Sequence, residues 1–191
     1  MVKRLILASS SPRRREILDT AGYEYDVCPS DADEYKNAES AEALVRENAL
    51  LKAQGVFKKL GDKNAVVLGA DTVVCVDGEI LGKPKDSRDA KDMLLKLSGS
   101  SHEVITGFAV VTEASFEAYA VTAKVKFREL SEEEIDSYVA TGEPLDKAGA
   151  YGIQERGCIL AERVEGDFFT IIGLPISAVY PVLKKHGILP K

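Results

Sequence analysis

The chain has 191 residues, enough to bury a sizeable core in one domain or in two tightly joined lobes. It carries 31 Asp and Glu against 25 Lys and Arg, and the net charge of −6 argues against a protein that coats nucleic acid, because such binding needs many basic side chains. No apolar run is long enough to span a membrane, and the one near the start is too short for a signal peptide, so we expect a cytoplasmic protein with no membrane partner.

The first predicted elements are a short buried strand at residues 5–7 and a helix with Ser11 as its N-cap and Pro12 as its first residue. Three arginines at residues 13–15 then occupy the first turn, where the helix dipole is already positive. Either Glu16 and other acids neutralise solvated arginines, or an anion binds there, since helix N-termini bind phosphate through free N–H groups. We favour the anion.

An acidic loop and a long helix come next. An extended segment at residues 23–29 leads into the loop that ends at Glu34, and the helix runs from about residue 40 to 60. Lys52 shares a helix face with Ala49 and other apolar residues, so its ammonium either reaches solvent at the helix edge or points into a polar cleft. Glu34 is the weaker candidate, because acidic surface loops are common.

A continuous apolar strand at residues 65–76 contains Asp71 near its middle. Burying an ionised carboxylate is costly unless it is paired or bound to a metal. The small residues Gly69 and Ala70 leave room for a group to approach the backbone here. The alternative is a structural Asp71 bonded to nearby backbone N–H groups.

A hairpin closes at Asp77 and Gly78. A two-residue turn would set Lys83 opposite Thr72, whereas a three-residue loop sets Lys83 directly across from Asp71. We favour the three-residue loop, because it brings a cation beside the buried carboxylate. The alternative is an exposed hairpin lysine.

The rest of the chain alternates helices and strands irregularly, which predicts a mixed sheet in an α/β or α+β protein. The predicted elements are a helix at 87–97, strands at 104–112 and 119–127, a helix opened by the capping box of Ser131 and Glu134, a loop of small residues at 147–157, strands near 158–164 and 168–172, and a last helix from Pro175.

Together these polar features describe a site for a polyphosphate and a divalent metal. Arginine grips phosphate through paired N–H groups, and lysine supplies a point charge. Glu34 and Asp71 are the expected oxygen ligands for Mg²⁺ or Mn²⁺. The expected partner is therefore a small phosphorylated substrate, with no nucleic acid.

Six short motifs follow one another in order along the chain: SSSPRR at 9–14, GADT at 69–72, GKP at 82–84, LSG with His102 and Thr106-Gly107, DKAGAYGIQ at 146–154 and GLP at 173–175. In these the sequence resembles the Maf family of nucleoside triphosphate pyrophosphatases over essentially its whole length. The resemblance implies a single domain at residues 1–191 with an elongated, ITPase-like mixed α/β fold, two lobes around a central cleft, and possible homodimers.

The resemblance also implies the reaction, hydrolysis of a nucleoside triphosphate between its α and β phosphates. It makes Asp71 the proposed proton acceptor, and sequence leaves open whether Asp71 deprotonates the water or holds the metal. The other groups it implies in catalysis are Glu34, Lys52 and Lys83. The residues that we expect to bind phosphate at the start of the first helix are Ser9, Ser11, Arg13 and Arg14.

Within the family, the subgroup that prefers dTTP and UTP resembles this chain at Arg13, Thr72 and Gln154, whereas the subgroup that prefers 7-methyl-GTP usually differs there. Two positions depart from the family pattern. Asn48 stands where a leucine is usual, and Glu155 follows Gln154 where glycine is usual. Glu155 adds negative charge near the expected base pocket.

Two other functions remain open at this point. One is a nucleotide-binding regulator of cell division, because the family has an association with inhibition of septum formation. Such a regulator needs the cations but no carboxylate beside the scissile phosphate, so Asp71 argues against it. The other is a phosphatase that removes only the terminal phosphate, which product analysis separates.

Overall fold

The computed structural model describes residues 3–191. Over this part of the chain the strands form a mixed sheet with flanking helices. The strands are β1 (Arg4–Leu7), β2 (Tyr25–Val27), β3 (Ala65–Val76), β4 (Glu79–Leu81), β5 (Ser101–Val111), β6 (Phe116–Phe127) and β7 (Ala161–Glu165). The α-helices are α1 (Pro12–Thr20), α2 (Ala41–Leu60), α3 (Ser87–Leu97), α4 (Glu132–Val139), α5 (Phe168–Ile172) and α6 (Ile176–Lys185), and short 3-10 helices occupy Glu143–Asp146, Ala148–Ala150 and Arg156–Ile159.

The strand order is β2-β1-β3-β5-β6-β7, with β4 paired to β3, so the predicted mixed α/β fold is confirmed. By its internal contacts the chain divides into two compact units. The first consists of the chain up to Asp71 with Thr106–Val121 and Gly173–Lys191, and the second of Thr72–Ile105 and Thr122–Ile172. Every helix within residues 3–191 is too short or too polar to cross a membrane.

Each unit has its own hydrophobic core. The core of the first consists largely of alanine and valine side chains from β1, α2, β3 and β5. The core of the second unit contains larger side chains. These are leucines and aromatic rings from α3, α4, β6 and the segment of 3-10 helices at residues 143–160. The small core side chains of the first unit allow α2 to approach the strands closely.

In the first unit, α2 lies unusually close to the sheet. β1 pairs in parallel with both β2 and β3. A Cβ atom built at Gly69 of β3 would lie 2.3 Å from the carbonyl oxygen of Ala49 in α2, and one built at Gly107 of β5 would lie 2.3 Å from that of Val45. The sequence predicted that small residues beside Asp71 admit an approaching group, and that group is the backbone of α2.

In the second unit, the hairpin of β3 and β4 closes with a two-residue turn, so the predicted three-residue loop is wrong. Val76 pairs with Glu79, and the two residues between them have φ of 49° and 79°, which suits a tight hairpin turn without a third residue. The paired residues end at Leu81 with Val74, so Lys83 lies beyond the ladder, and this register continued would set it opposite Thr72. The expected pairing of Lys83 with Asp71 is therefore also wrong.

The predicted strand at 168–172 is wrong as well, because these residues form α5. Aromatic and β-branched side chains there favour a strand. Asp167 overrides this preference: its carboxylate accepts hydrogen bonds from the backbone N–H groups of Phe169 and Thr170 and from the Thr170 hydroxyl. Such capping satisfies the unpaired donors at a helix start.

The predicted helix starts are confirmed where a cap marks them. Ser11 precedes α1, with Pro12 as its first residue. The Ser40 hydroxyl accepts from the Ala43 N–H at the start of α2, at 3.1 Å. Ser131 forms the capping box that opens α4.

Candidate active site

Lys52 of α2 holds two carboxylates together. Its ammonium donates to Asp71 Oδ1 at 2.7 Å and lies 2.9 Å from Glu34 Oε1. Only 12% of the Lys52 side chain is exposed, so the ammonium lies in a polar cluster and does not project into bulk solvent at the helix edge. The structure thus brings together three of the residues that the sequence placed at the site.

The hydrogen bonds to the Asp71 carboxylate come from side chains. The alternative, a structural aspartate bonded to nearby backbone N–H groups, is not what residues 3–191 show. Lys52 contacts Oδ1, and the amide of Asn48 donates to Oδ2 at 3.2 Å. Asp71 lies within β3 and is 9% exposed. Its negative charge is stabilised by an ammonium and an amide that both come from α2.

Asn48 is the residue that sequence reasoning missed. It is 2% exposed and lies one helical turn before Lys52. Its amide nitrogen donates to the Tyr35 carbonyl at 3.1 Å, and its amide oxygen accepts from the Tyr35 N–H at 2.8 Å. The available signal was a polar side chain on the apolar face of α2, since a buried polar group needs partners.

Arg14, in the first turn of α1, lies near the same carboxylates. Arg14 Nε donates to the Gly173 carbonyl at 2.8 Å, and its guanidinium also donates to Ser9 Oγ at 3.0 Å. Burial lowers the pKa of Arg14, the Asp71 carboxylate opposes this, and the neighbouring Arg13 guanidinium lowers the pKa further. Arg14 is therefore not one of the solvated arginines of the alternative hypothesis.

The serines before α1 support this turn. Ser9 is buried, and its hydroxyl accepts from the Ser11 N–H at 3.3 Å as well as from Arg14. A negatively charged group near Arg13 and Arg14 would therefore meet the Ser9 hydroxyl together with two guanidinium groups.

Three predicted site residues lie in the second unit. Thr72 follows Asp71 within β3 and is half-buried, Lys83 is exposed beyond the end of β4, and Gln154 is exposed in the loop before the last 3-10 helix. Their roles stay predictions that rest on the resemblance.

The loop that carries Gln154 is supported by a buried lysine. Lys147 Nζ donates to the Glu143 carbonyl at 3.0 Å and to Asp146 Oδ1 at 2.9 Å, and it lies 3.4 Å from Glu155 Oε1. The extra negative charge of Glu155 is thus paired with a cation.

A second set of hydrogen bonds secures the same loop. The Tyr138 hydroxyl donates to Glu143 Oε1 at 2.8 Å and accepts from the Gly152 N–H at 3.1 Å. The Glu143 carboxylate also accepts from the N–H groups of Arg156 and Gly157. Burial raises the pKa of Tyr138, which keeps the hydroxyl protonated as the donor.

The acidic side chains of the first unit suit a divalent cation. Glu34 and Asp71 both face the Lys52 ammonium, so their oxygen atoms already converge on one positive charge. Mg²⁺ sites commonly combine one or two carboxylates with phosphate oxygens of the substrate. Within residues 3–191, no three His, Cys, Asp or Glu side chains are grouped as a metal site. Glu34 and Asp71 are the two carboxylates of this cluster that match such a ligand set.

Comparison with known proteins identifies the family. A family model for Maf-like proteins matches residues 4–186. The chain belongs to the Maf family. A dTTP/UTP pyrophosphatase of Thermotoga petrophila is 49% identical over 184 residues, which cover 96% of this chain and 90% of that protein. A dTTP/UTP pyrophosphatase of Dictyoglomus thermophilum is 46% identical over 191 residues, with 98% of each chain covered. The predicted family is confirmed.

A solved structure shares the fold of this Maf protein. The Staphylococcus aureus Ham1 protein matches with a TM-score of 0.54 at 17% sequence identity, covering 96% of this chain and 99% of that chain. At this level of identity the similarity concerns the fold alone.

Proposed function

We propose that this Maf-family chain is a hydrolase that converts dTTP and UTP to the nucleoside monophosphate and pyrophosphate. Relatives that are 46–49% identical over nearly the whole chain are named for this activity. The observation that carries the proposal is the convergence of Glu34, Lys52 and Asp71 beside the arginine-bearing turn of α1. Phosphoryl transfer depends mainly on positioning and charge stabilisation, and this group supplies both.

The triphosphate binds to the cations of the first unit in this proposal. A lysine ammonium has three N–H donors, and over residues 3–191 Lys52 has two partners for them, Asp71 in a hydrogen bond and Glu34 in an ion pair. The third remains for a phosphate oxygen. Arg13 and Arg14 provide further positive charge, and Lys83 is the proposed additional cation.

Asp71 positions the attacking water. Water adds to the α-phosphorus, the bond to the bridging oxygen breaks, and pyrophosphate leaves while the proton of the water passes to a base. Asp71 either accepts that proton or helps to hold the metal. Each of its carboxylate oxygens keeps capacity for another partner, because an ionised carboxylate oxygen accepts more than one hydrogen bond.

Mg²⁺ or Mn²⁺ is the proposed cofactor, with Glu34 and Asp71 as its protein ligands. When bound, the ion supplies positive charge that offsets the charge of the phosphates. Lys52 then keeps the two carboxylates at the phosphate chain, and the arginines of α1 orient it.

Base recognition is assigned to Gln154 and Thr72, with Arg13 as the third specificity position. An amide both donates and accepts hydrogen bonds, which suits the edge of uracil or thymine. The possible homodimer and the cytoplasmic location stay predictions, as does the single domain at residues 1–191.

The test is product analysis with dTTP, UTP, CTP, ATP, GTP and 7-methyl-GTP in the presence of Mg²⁺ or Mn²⁺. We expect monophosphate and pyrophosphate from dTTP and UTP, and loss of turnover by at least ~10³-fold in Asp71→Asn with the fold preserved. Asp31→Asn is the control, because Asp31 is an aspartate of the loop that carries Glu34 but pairs with Lys59 at the surface.

Other outcomes separate the alternatives. Release of inorganic phosphate would indicate a terminal phosphatase, and nucleotide binding without cleavage would support the regulator. Wild-type turnover in Asp71→Asn would remove Asp71 from the mechanism.

A further inference from the structure

We infer that Asn48 is a positioning residue, which fixes the Glu34 loop and the Asp71 carboxylate relative to each other. This inference rests on the proposed function. Its basis is three hydrogen bonds of one buried amide, which accepts from the Tyr35 N–H and donates to the Tyr35 carbonyl and to Asp71.

The bonds to Tyr35 define the orientation of the Asn48 amide. The Tyr35 N–H can only donate a hydrogen bond, so it must face the amide oxygen of Asn48. The Tyr35 carbonyl can only accept one, so it must face the amide nitrogen. The remaining N–H of the amide then points at Asp71 Oδ2. A rotated amide would lose all three bonds.

Glu34 depends on this anchor more than Asp71 does. Asp71 is held within β3, whereas the Glu34 side chain is 53% exposed and belongs to a loop. Packing does not fix an exposed carboxylate, and Lys52 alone is a flexible partner. The backbone next to Glu34 is tied to α2 through the Tyr35 bonds, so the loop carries Glu34 to the ammonium.

Asn48 therefore joins three segments that are far apart in sequence. It lies on α2, contacts the loop 13 residues earlier, and contacts the strand 23 residues later. Groups that support metal ligands from behind typically change metal affinity or activity about 10–100-fold when removed. Asn48 would act in this way on Glu34 and Asp71, without touching the substrate.

The main test substitution is Asn48→Leu, which keeps the branching at Cγ and removes all three hydrogen bonds. Asn48→Ala is made alongside it, because alanine cannot overfill the site. Ser40→Ala is the matched control: it removes one side-chain hydrogen bond from the same helix, to Ala43, and contacts neither the Glu34 loop nor Asp71.

Three quantities are measured on the full chain. For both Asn48 variants we expect kcat for dTTP to fall about 10–100-fold and the Mg²⁺ concentration for half-maximal activity to rise about 10-fold. We also expect faster amide hydrogen exchange at residues 33–36, measured without metal or nucleotide. Ser40→Ala changes none of these, although it lowers the melting temperature.

The outcomes separate this inference from the proposed function. If wild type cleaves no nucleotide, the proposed function fails. If wild type is active and the Asn48 variants match it in kcat, metal requirement or exchange, the positioning role is overturned. A loss of folded fraction alone would lower kcat but leave the metal requirement unchanged, so that result also contradicts the inference.

Discussion

Two buried lysines, Lys52 in the first unit and Lys147 in the second, have similar partners but different surroundings. Both lie beside two carboxylates, and their side chains are 12% and 6% exposed. Lys147 also donates to the backbone carbonyl of Glu143, so its three N–H donors face three acceptors. Lys52 has two such partners over residues 3–191.

The positions of the partners differ as well. Those of Lys147 lie within residues 143–155, and the lysine stem packs against Gly152, where an added Cβ would lie 2.4 Å from Lys147 Cε. Those of Lys52 come from a loop and a strand far apart in sequence. A buried lysine beside acids is thus not in itself a sign of a ligand site. A remaining donor beside converging carboxylates is the more useful sign.

Each lysine is exchanged for methionine, which keeps the apolar stem and removes the charge. The largest effect on activity is expected from the exchange at Lys52. For Lys52→Met we expect kcat/KM for dTTP to fall about 10³-fold, because the proposed function places this cation at the reacting phosphates. For Lys147→Met we expect kcat to stay within a few-fold of wild type and the free energy of unfolding to fall by about 2 kcal/mol, because a buried carbonyl loses its partner.

Ligand-induced stabilisation gives an independent check of the same pair. Pyrophosphate with Mg²⁺ should raise the melting temperature of wild type and Lys147→Met, since a ligand that binds only the folded state stabilises it. The same addition should leave Lys52→Met nearly unchanged. Equal shifts in both variants would contradict the distinction between the two lysines.

A change of pH is expected to have a smaller effect, on the stability of the hydrogen-bonded loop in the second unit. His102 is buried, its Nε2 lies 2.8 Å from the Tyr151 hydroxyl, and its ring contacts those of Phe127 and Tyr151. Burial lowers the pKa of His102 from 6.5 to about 4. Tyr151 lies in the loop that Lys147 supports, so protonation of His102 acts on that loop.

The direction follows from the two pKa values of His102. Between pH 6.5 and about 4, His102 is protonated in the unfolded chain but neutral in the folded protein. The free energy of unfolding that comes from the neutral imidazole is therefore complete above pH 6.5 and is lost as pH falls through this range. At pH 5 wild type should lose about 2 kcal/mol more than His102→Gln, relative to pH 7, in urea unfolding. The two proteins should differ by a constant amount from pH 7 to 8, and parallel curves down to pH 5 would refute the assignment.

The smallest effect is expected from Glu155→Gln. Glu155 is half-exposed and 3.4 Å from Lys147, and such pairs contribute less than about 1 kcal/mol. We expect KM for dTTP to change less than about twofold for the same reason. Glu143→Gln is the comparison, because that carboxylate accepts from Tyr138 and two backbone N–H groups. An equal loss of stability in both variants would show that Glu155 belongs to the loop support.

Most elements were predictable from the sequence because their signals are local. Ser40 marks the start of α2, the apolar run from Ala65 to Val76 is β3, and the capping box at Ser131 opens α4. Residues 168–172 were mispredicted because one capping carboxylate outweighed their composition. The predicted register of the β3–β4 hairpin was wrong because the attraction between Lys83 and Asp71 was given more weight than the tight-turn geometry of Asp77 and Gly78.

The site shows the same division. Asp71 was predicted because a carboxylate conflicts with its apolar strand, and the first-turn arginines because they conflict with the helix dipole. Asn48 was missed because its partners, a loop backbone and a strand carboxylate, become neighbours only after folding.

The close approach of α2 to the sheet also limits how the site can vary. Gly69 and Gly107 carry no functional group, yet each leaves the space in which a helix carbonyl lies, 2.3 Å from where a methyl group would begin. A single added carbon at either position would push α2 outward and draw Lys52 and Asn48 away from Asp71. In random mutagenesis, alanine at these two glycines should therefore resemble the loss of a polar site residue, although every such residue would still be present.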